Sequence, residues 1–113
     1  MNNAQAIEDL RRYPRKEFTR KVGILFAGDY RVVQGIELSE GGLSFSSELV
    51  YSVNRECVVT FKIPAGPFIS LRAFTKHMKK IDGKIVVGIS FVMVPFSNRR
   101  QIRNFVADRN KKK

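Results

Sequence analysis

Two short stretches carry residues whose types and spacing could do chemistry. The first is Arg11-Arg12-Tyr13-Pro14-Arg15, inside a basic run that continues through Lys16, Arg20 and Lys21 with only Glu17 opposing. Two guanidinium forks separated by three residues converge on one anion when the segment bends. Arg also binds guanine O6 and N7 in a bidentate way and stacks on flat rings. Lys would supply charge without the fork. Pro14 keeps a continuous helix out of the run and pushes residue 13 towards extended geometry. The plain alternative is a solvated basic arm. The second stretch is Glu37-Leu38-Ser39-Glu40-Gly41-Gly42. Ser39 offers a hydroxyl to a phosphate or a base edge. Gly41 and Gly42 let backbone N–H groups approach a ligand closely and tolerate positive φ. Here the plain alternative is an ordinary turn.

Catalysis finds no footing. There is no Gly-x-Ser-x-Gly elbow, phosphate-binding P-loop, His-Glu-x-x-His or Gly-x-Gly-x-x-Gly. His77 is the one imidazole and lies mid-strand, so no nucleophile, base and orienter can be nominated. Glu37 and Glu40 are a carboxylate pair only on turn-like flanks. Cys57 is the one cysteine, which excludes an internal disulfide and a Cys/His zinc site. The expectation is a binding protein and not an enzyme, with no cofactor.

Composition agrees. The 21 Lys and Arg against 10 Asp and Glu give a net charge of +11, which suits a polyanionic or phosphate-bearing partner. Apolar residues make up 43%, which rules out disorder throughout, and 113 residues suit one domain. The start of the chain has no basic region followed by an apolar stretch. The least polar window, Ile85 to Phe96, is interrupted by Gly88, Ser90 and Pro95 and falls short of the ~20 residues that span a bilayer. These features predict a cytoplasmic, soluble protein with no membrane insertion and Cys57 reduced.

The elements that must position the two stretches are mostly strands. Ala4 to Leu10 is compatible with a short helix. Val22, Ile24 and Phe26 alternate with Gly23, Leu25 and Ala27, and Gly28-Asp29 signals a turn. Tyr30 to Leu38 reads as a second strand, rich in β-branched residues; Leu43 to Ser46 alternates strictly, and Cys57, Val59, Phe61 and Ile63 define another strand. After Pro64-Ala65-Gly66-Pro67 a long strand runs from Ile69 through Met78, and Asp82-Gly83 is a hairpin turn before Ile85 to Phe91. Closely spaced strands without crossover helices predict a six-stranded antiparallel β-barrel. Pro95 stops the sheet and Ser97 is placed to cap a helix. Ile102, Phe105 and Val106 share one helix face, which predicts packing of Ile102 and Phe105 over an open barrel end. Met78 and Met93 are expected in the core or at its rim. The domain reading is a flexible arm over residues 1–19, a barrel with its C-terminal helix over 20–110, and a basic tail over 111–113.

Together the two stretches resemble the PilZ domain family. An Arg-x-x-x-Arg precedes the first strand, and an acidic residue-x-Ser-x-x-Gly joins the second and third. The similarity extends to Gly42-Leu43-Ser44-Phe45, Leu71-Arg72-Ala73, Val87-Gly88-Ile89-Ser90-Phe91 and the terminal helix with Arg100, Ile102 and Phe105, over about residues 10 to 108. The resemblance implies a six-stranded barrel that binds the bacterial second messenger cyclic di-GMP. It implies that Arg11 and Arg15 grip guanine edges and phosphates, that Arg12 adds a contact, and that Ser39, Gly41 and Gly42 form the second half of the site. Glu37 departs from the family's usual Asp or Asn by one methylene, and Leu10 stands where many relatives have a further arginine. These departures bear on affinity and on whether one molecule or an intercalated pair binds.

The expected mechanism is ordering of the arm over the ligand, read by a downstream protein in motility, biofilm formation or secretion. Two readings compete with it. One is a basic barrel that binds single-stranded nucleic acid through Phe18, Tyr30 and Phe74 with Arg72, Lys76, Lys79 and Lys80; nucleic acid is the less favoured partner. The other is a PilZ-like adaptor that binds no nucleotide. Cys57 reads as a packed small hydrophobe.

Overall fold

The computed structural model describes residues 13–108. In chain order these form β1 (Lys16–Glu17), β2 (Lys21–Phe26), β3 (Asp29–Leu38), β4 (Gly42–Ser47), β5 (Glu56–Lys62), β6 (Phe68–Ile81), β7 (Lys84–Val92) and α1 (Phe96–Ala107). The strand order β3-β2-β5-β6-β7-β4 closes on itself because β4 also pairs with β3, and the two-residue β1 hangs on β3. The result is the expected six-stranded antiparallel barrel.

Alternation decides which residues face inward. Val22 and Ile24 of β2, Cys57, Val59 and Phe61 of β5, Ile69, Leu71 and Ala73 of β6, and Val87 and Ile89 of β7 are all buried. The β6–β7 hairpin turns on Asp82 (φ 50°) and Gly83 (φ 80°), as the Asp-Gly pair predicts. The β2–β3 turn lies one residue earlier than Gly28-Asp29. Ala27 (φ 52°) and Gly28 (φ 79°) take the two left-handed positions, and Asp29 pairs with Phe26. The β6–β7 register shifts between Thr75 and His77, leaving Lys76 as the extra residue of a bulge. The bulge changes the parity of β6, so His77 and Lys79 share the outer face while Met78 packs inward against the core.

The terminal helix closes one barrel end. Ile102 and Phe105 are fully buried, and Val106 is half-buried against the same core. Ser97 does not cap the helix. The N-cap is Pro95 (φ −58°, ψ 146°), whose extended backbone sets the entry, and its carbonyl accepts the Arg99 N–H at 3.0 Å. Met93 departs from its expected place in the core or rim: it is 84% exposed and in a left-handed conformation, where β7 breaks off ahead of Pro95. Tyr51 closes the other end, its ring edge-on to Phe26 and Phe45 at 5.1 and 5.6 Å.

The docked structure begins earlier than residue 20. Phe18 has 0% exposure and meets Phe61 and Phe105 edge-on, each at 5.7 Å. Its N–H donates to the Ile36 carbonyl at 2.8 Å. Gly35 makes room for this segment, since a Cβ there would lie 2.6 Å from the Phe18 carbonyl oxygen. Burying a Phe in a core is worth about 3–5 kcal/mol by truncation, against roughly 1–2 kcal/mol to fix one residue's backbone. Phe18 therefore holds its immediate neighbours, and the part of the expected arm from Lys16 to Thr19 belongs to the barrel. Among the described residues no helix is long and apolar enough to cross a membrane.

Candidate functional site

The turn between β3 and β4 is built around Ser39. Its N–H donates to the Gly42 carbonyl at 2.9 Å, and its Oγ accepts the N–H groups of Gly41 and Gly42, both at 3.2 Å. Ser39 is 4% exposed, so its hydroxyl shapes the turn from inside. Neither Gly41 nor Gly42 uses the positive φ that the sequence allows. Close approach demands them instead. A Cβ on Gly42 would sit 2.2 Å from the Ile89 carbonyl oxygen, and one on Gly41 would sit 2.9 Å from the Tyr13 ring. The Gly41 carbonyl accepts the Phe91 N–H at 2.9 Å, which ties the turn to the end of β7.

Strand β1 brings the basic motif to this turn. Lys16 pairs with Leu38 and Glu17 with Glu37, so Arg15 emerges beside the end of β3. Arg15 Nη1 lies 3.7 Å from Glu37 Oε1, both side chains about half exposed. A shallow pocket opens next to this pair on the outer barrel face, lined by Arg15, Glu37, Ser44, His77 and Gly88 and reaching Ser39 and Gly42. Its floor follows from register. Ser44 pairs with Glu37 on one side and with Gly88 on the other, and Gly88 pairs with His77. The His77 ring lies over Gly88, where a Cβ would be 2.5 Å from Nε2. Arg15, Glu37, Ser39, Gly41 and Gly42 thus stand together, while Arg11, Arg12 and Leu10 lie outside the described residues.

Sequence reasoning missed five residues here. His77 reads in the sequence as an ordinary strand residue; the signal for it is Gly88, since a glycine inside an apolar strand marks space for something close. Glu40, inside the second motif, is 9% exposed and grips the helix instead of a ligand. Arg103 donates from Nε and Nη2 to its two carboxylate oxygens at 3.1 and 3.2 Å. The hydrogen bonds and charge of Glu40 push the Arg103 guanidinium above its usual pKa. Arg99 lies 3.8 Å from Glu40 and donates to the Tyr13 hydroxyl at 3.2 Å. Lys16 closes the far end of α1, its Nζ donating to the carbonyls of Phe105 (3.2 Å) and Asp108 and lying 4.5 Å from the Phe105 ring centre.

The residues of the nucleic-acid reading are not brought together as a platform. Phe18 is in the core, Phe74 is half-buried, and Arg72 is paired with Glu56. Among the described residues no group of three or more His, Cys, Asp or Glu side chains could hold a metal ion. Cys57 is buried, and burial, with help from Glu56, pushes its thiol up to about 11.

This combination of a closed barrel, an arginine at its entry and a Ser-Gly turn defines a class. The PilZ domain family model matches residues 9–108, and the chain belongs to that family. Among solved structures it is similar to the Bacillus subtilis inhibitor of motility MotI/DgrA, with a TM-score of 0.78 at 13% identity over 85% of this chain and 49% of that one. It is similar to the PilZ domain of YcgR from Escherichia coli with c-di-GMP, with a TM-score of 0.68 at 16% identity over 85% and 88%. A third is the Borreliella burgdorferi PlzA protein in complex with c-di-GMP, with a TM-score of 0.61 at 19% identity over 88% and 36%. The chain thus spans about half or less of MotI/DgrA and PlzA. No curated protein matches it in sequence.

Proposed function

We propose that this protein is a receptor for cyclic di-GMP, that it is not an enzyme, and that it acts in the cytoplasm. The observation that carries the reading is the convergence of Arg15 with Glu37, Ser39 and Gly42 on one pocket, from two motifs far apart in sequence. Membership of the PilZ family and likeness to structures solved with c-di-GMP support it.

In this reading Arg15, with Arg11 and Arg12 from the preceding segment, grips phosphate and guanine edges through charge-assisted forked hydrogen bonds. Glu37 accepts from guanine N–H donors, and Ser39, Gly41 and Gly42 hold the turn that sets one wall. His77 adds a flat ring and a hydrogen-bonding edge beside the open floor at Gly88. Bound messenger reshapes the surface where the basic segment meets β3, and a protein of motility, biofilm formation or secretion reads the change.

Calorimetric titration with cyclic di-GMP, with GTP and cyclic GMP as controls, tests the reading. Selective binding that is lost in Arg11→Ala/Arg15→Ala is expected. No heat at saturating messenger, or equal heat in the double variant, would overturn it.

A further inference from the structure

A second concavity lies on the outer face of β2, β3 and β5. It occupies about 570 Å³ and shares no lining residue with the Arg15–His77 pocket. The solvent face of an antiparallel sheet is ordinarily polar. Here Tyr30, Val32 and Phe68 are 59%, 60% and 72% exposed. Gly23 supplies the hollow: Tyr30 crosses it so closely that a Cβ there would lie 2.1 Å from the phenol oxygen. Glycine weakens a strand interior, so this position gives up strand stability to seat the ring.

The charge around this hollow is one-sided. Arg20, Lys21 and Lys62 line it and, among the described residues, no carboxylate does. None of the three forms an ion pair with another described residue. The excess is local and not merely the average of a basic protein, because two other grooves on the barrel each include Glu48 beside their lysines. Exposed rings flanked by cations that no described carboxylate pairs suit a partner that brings both apolar side chains and negative charge.

We propose that this groove docks an acidic segment of a partner protein, with an apolar side chain set between Tyr30 and Phe68 and carboxylates facing Arg20, Lys21 and Lys62. Two rings and an aliphatic Val32 suit a peptide anchor better than the run of successive stacking faces that a single nucleic-acid strand uses. The assignment goes beyond the nucleotide reading and stands without it. The groove's edge is fixed to β3, since the Arg20 carbonyl accepts the Gly35 N–H at 2.8 Å.

The test uses fluorescence anisotropy on the full chain. The probes are a labelled polyglutamate peptide with Phe and Leu at its centre and a labelled oligothymidylate. Peptide affinity should fall about tenfold or more in Lys21→Glu/Lys62→Glu and in Tyr30→Ser/Phe68→Ser. It should fall much less in Lys79→Glu/Lys80→Glu, which makes the same charge change elsewhere. Thermal unfolding checks that each variant folds. Absent peptide binding, equal loss in the control pair, or tighter oligothymidylate binding lost in the same groove variants would overturn the proposal. Cyclic di-GMP titration of the groove variants should be unchanged, so failure here and failure of the messenger reading give different results.

Discussion

Arg15 and Glu37 face each other across the β1–β3 pairing, Nη1 to Oε1 at 3.7 Å. The pair is half exposed and contributes little to stability. Its importance is positional: the carboxylate that departs from the family's usual residue is long enough to reach the arginine. In the free protein Glu37 partly neutralises the charge that a phosphate would meet.

The first prediction follows. Arg15→Ala should cost about 1.5–3 kcal/mol of cyclic di-GMP affinity, the range for hydrogen bonds to a charged group. Glu37→Asp should shorten the carboxylate, release Arg15 and tighten binding, with stability changed by less than about 0.5 kcal/mol. Calorimetry and thermal melts read both; weaker binding in Glu37→Asp would mean that the longer side chain is needed by the ligand.

Gly41 and Gly42 should respond differently to the same added methyl group. Gly42→Ala drives a Cβ into the Ile89 carbonyl at 2.2 Å, and rigid barrel backbone has to move, so a loss of about 3 kcal/mol or more is expected. Gly41→Ala crowds only side chains among the described residues, the Tyr13 ring at 2.9 Å, with Ser39 Oγ at an ordinary 3.9 Å, and a ring can give way where backbone cannot. Its cost should stay below about 1 kcal/mol, within the usual range for surface changes. Urea unfolding of the two variants decides; similar losses would show that the ring is as immovable as the strand.

Lys16→Met should loosen the last turn of α1. It removes a cation from the helix C-terminus and leaves the Phe105 and Asp108 carbonyls to water, at about 1–2 kcal/mol. Faster amide exchange from Asn104 to Asp108 is the sign to look for. Unchanged protection there would mean that packing of Ile102 and Phe105 alone holds the helix.

Cys57 should resist alkylation. Its thiol is raised from 9.0 to about 11, so at pH 8 the thiolate fraction is about a hundredfold below that of a free cysteine. The sign for stability follows: the protonated native thiol favours folding fully below pH 9, and that advantage is lost as pH rises through about 11. Iodoacetamide labelling with and without denaturant measures the difference; rapid native labelling at pH 8 would contradict it.

Most of the barrel was legible because a period of two survives in Val22 to Phe26, Cys57 to Ile63 and Ile69 to Ala73, each with one buried face. The Asp82-Gly83 turn was legible from left-handed preference. The bulge at Lys76 was not, because nothing local marks an extra residue that only the partner strand reveals, and with it His77 was overlooked. Phe18 was misjudged because the charges around it mask one aromatic whose partners, Phe61 and Phe105, are distant in sequence. The two motifs were legible as residue types. The inward duty of Ser39 and the grip of Glu40 on Arg103 depend on tertiary placement that spacing does not encode.

The ammonium of Lys16, seated on the last carbonyls of α1, has an architectural consequence. It clasps the entry and the exit of the described fold at one pole of the barrel. Neighbouring polypeptide attached at either side would leave from nearly the same point, so the module can be spliced between other domains while its walls stay undisturbed.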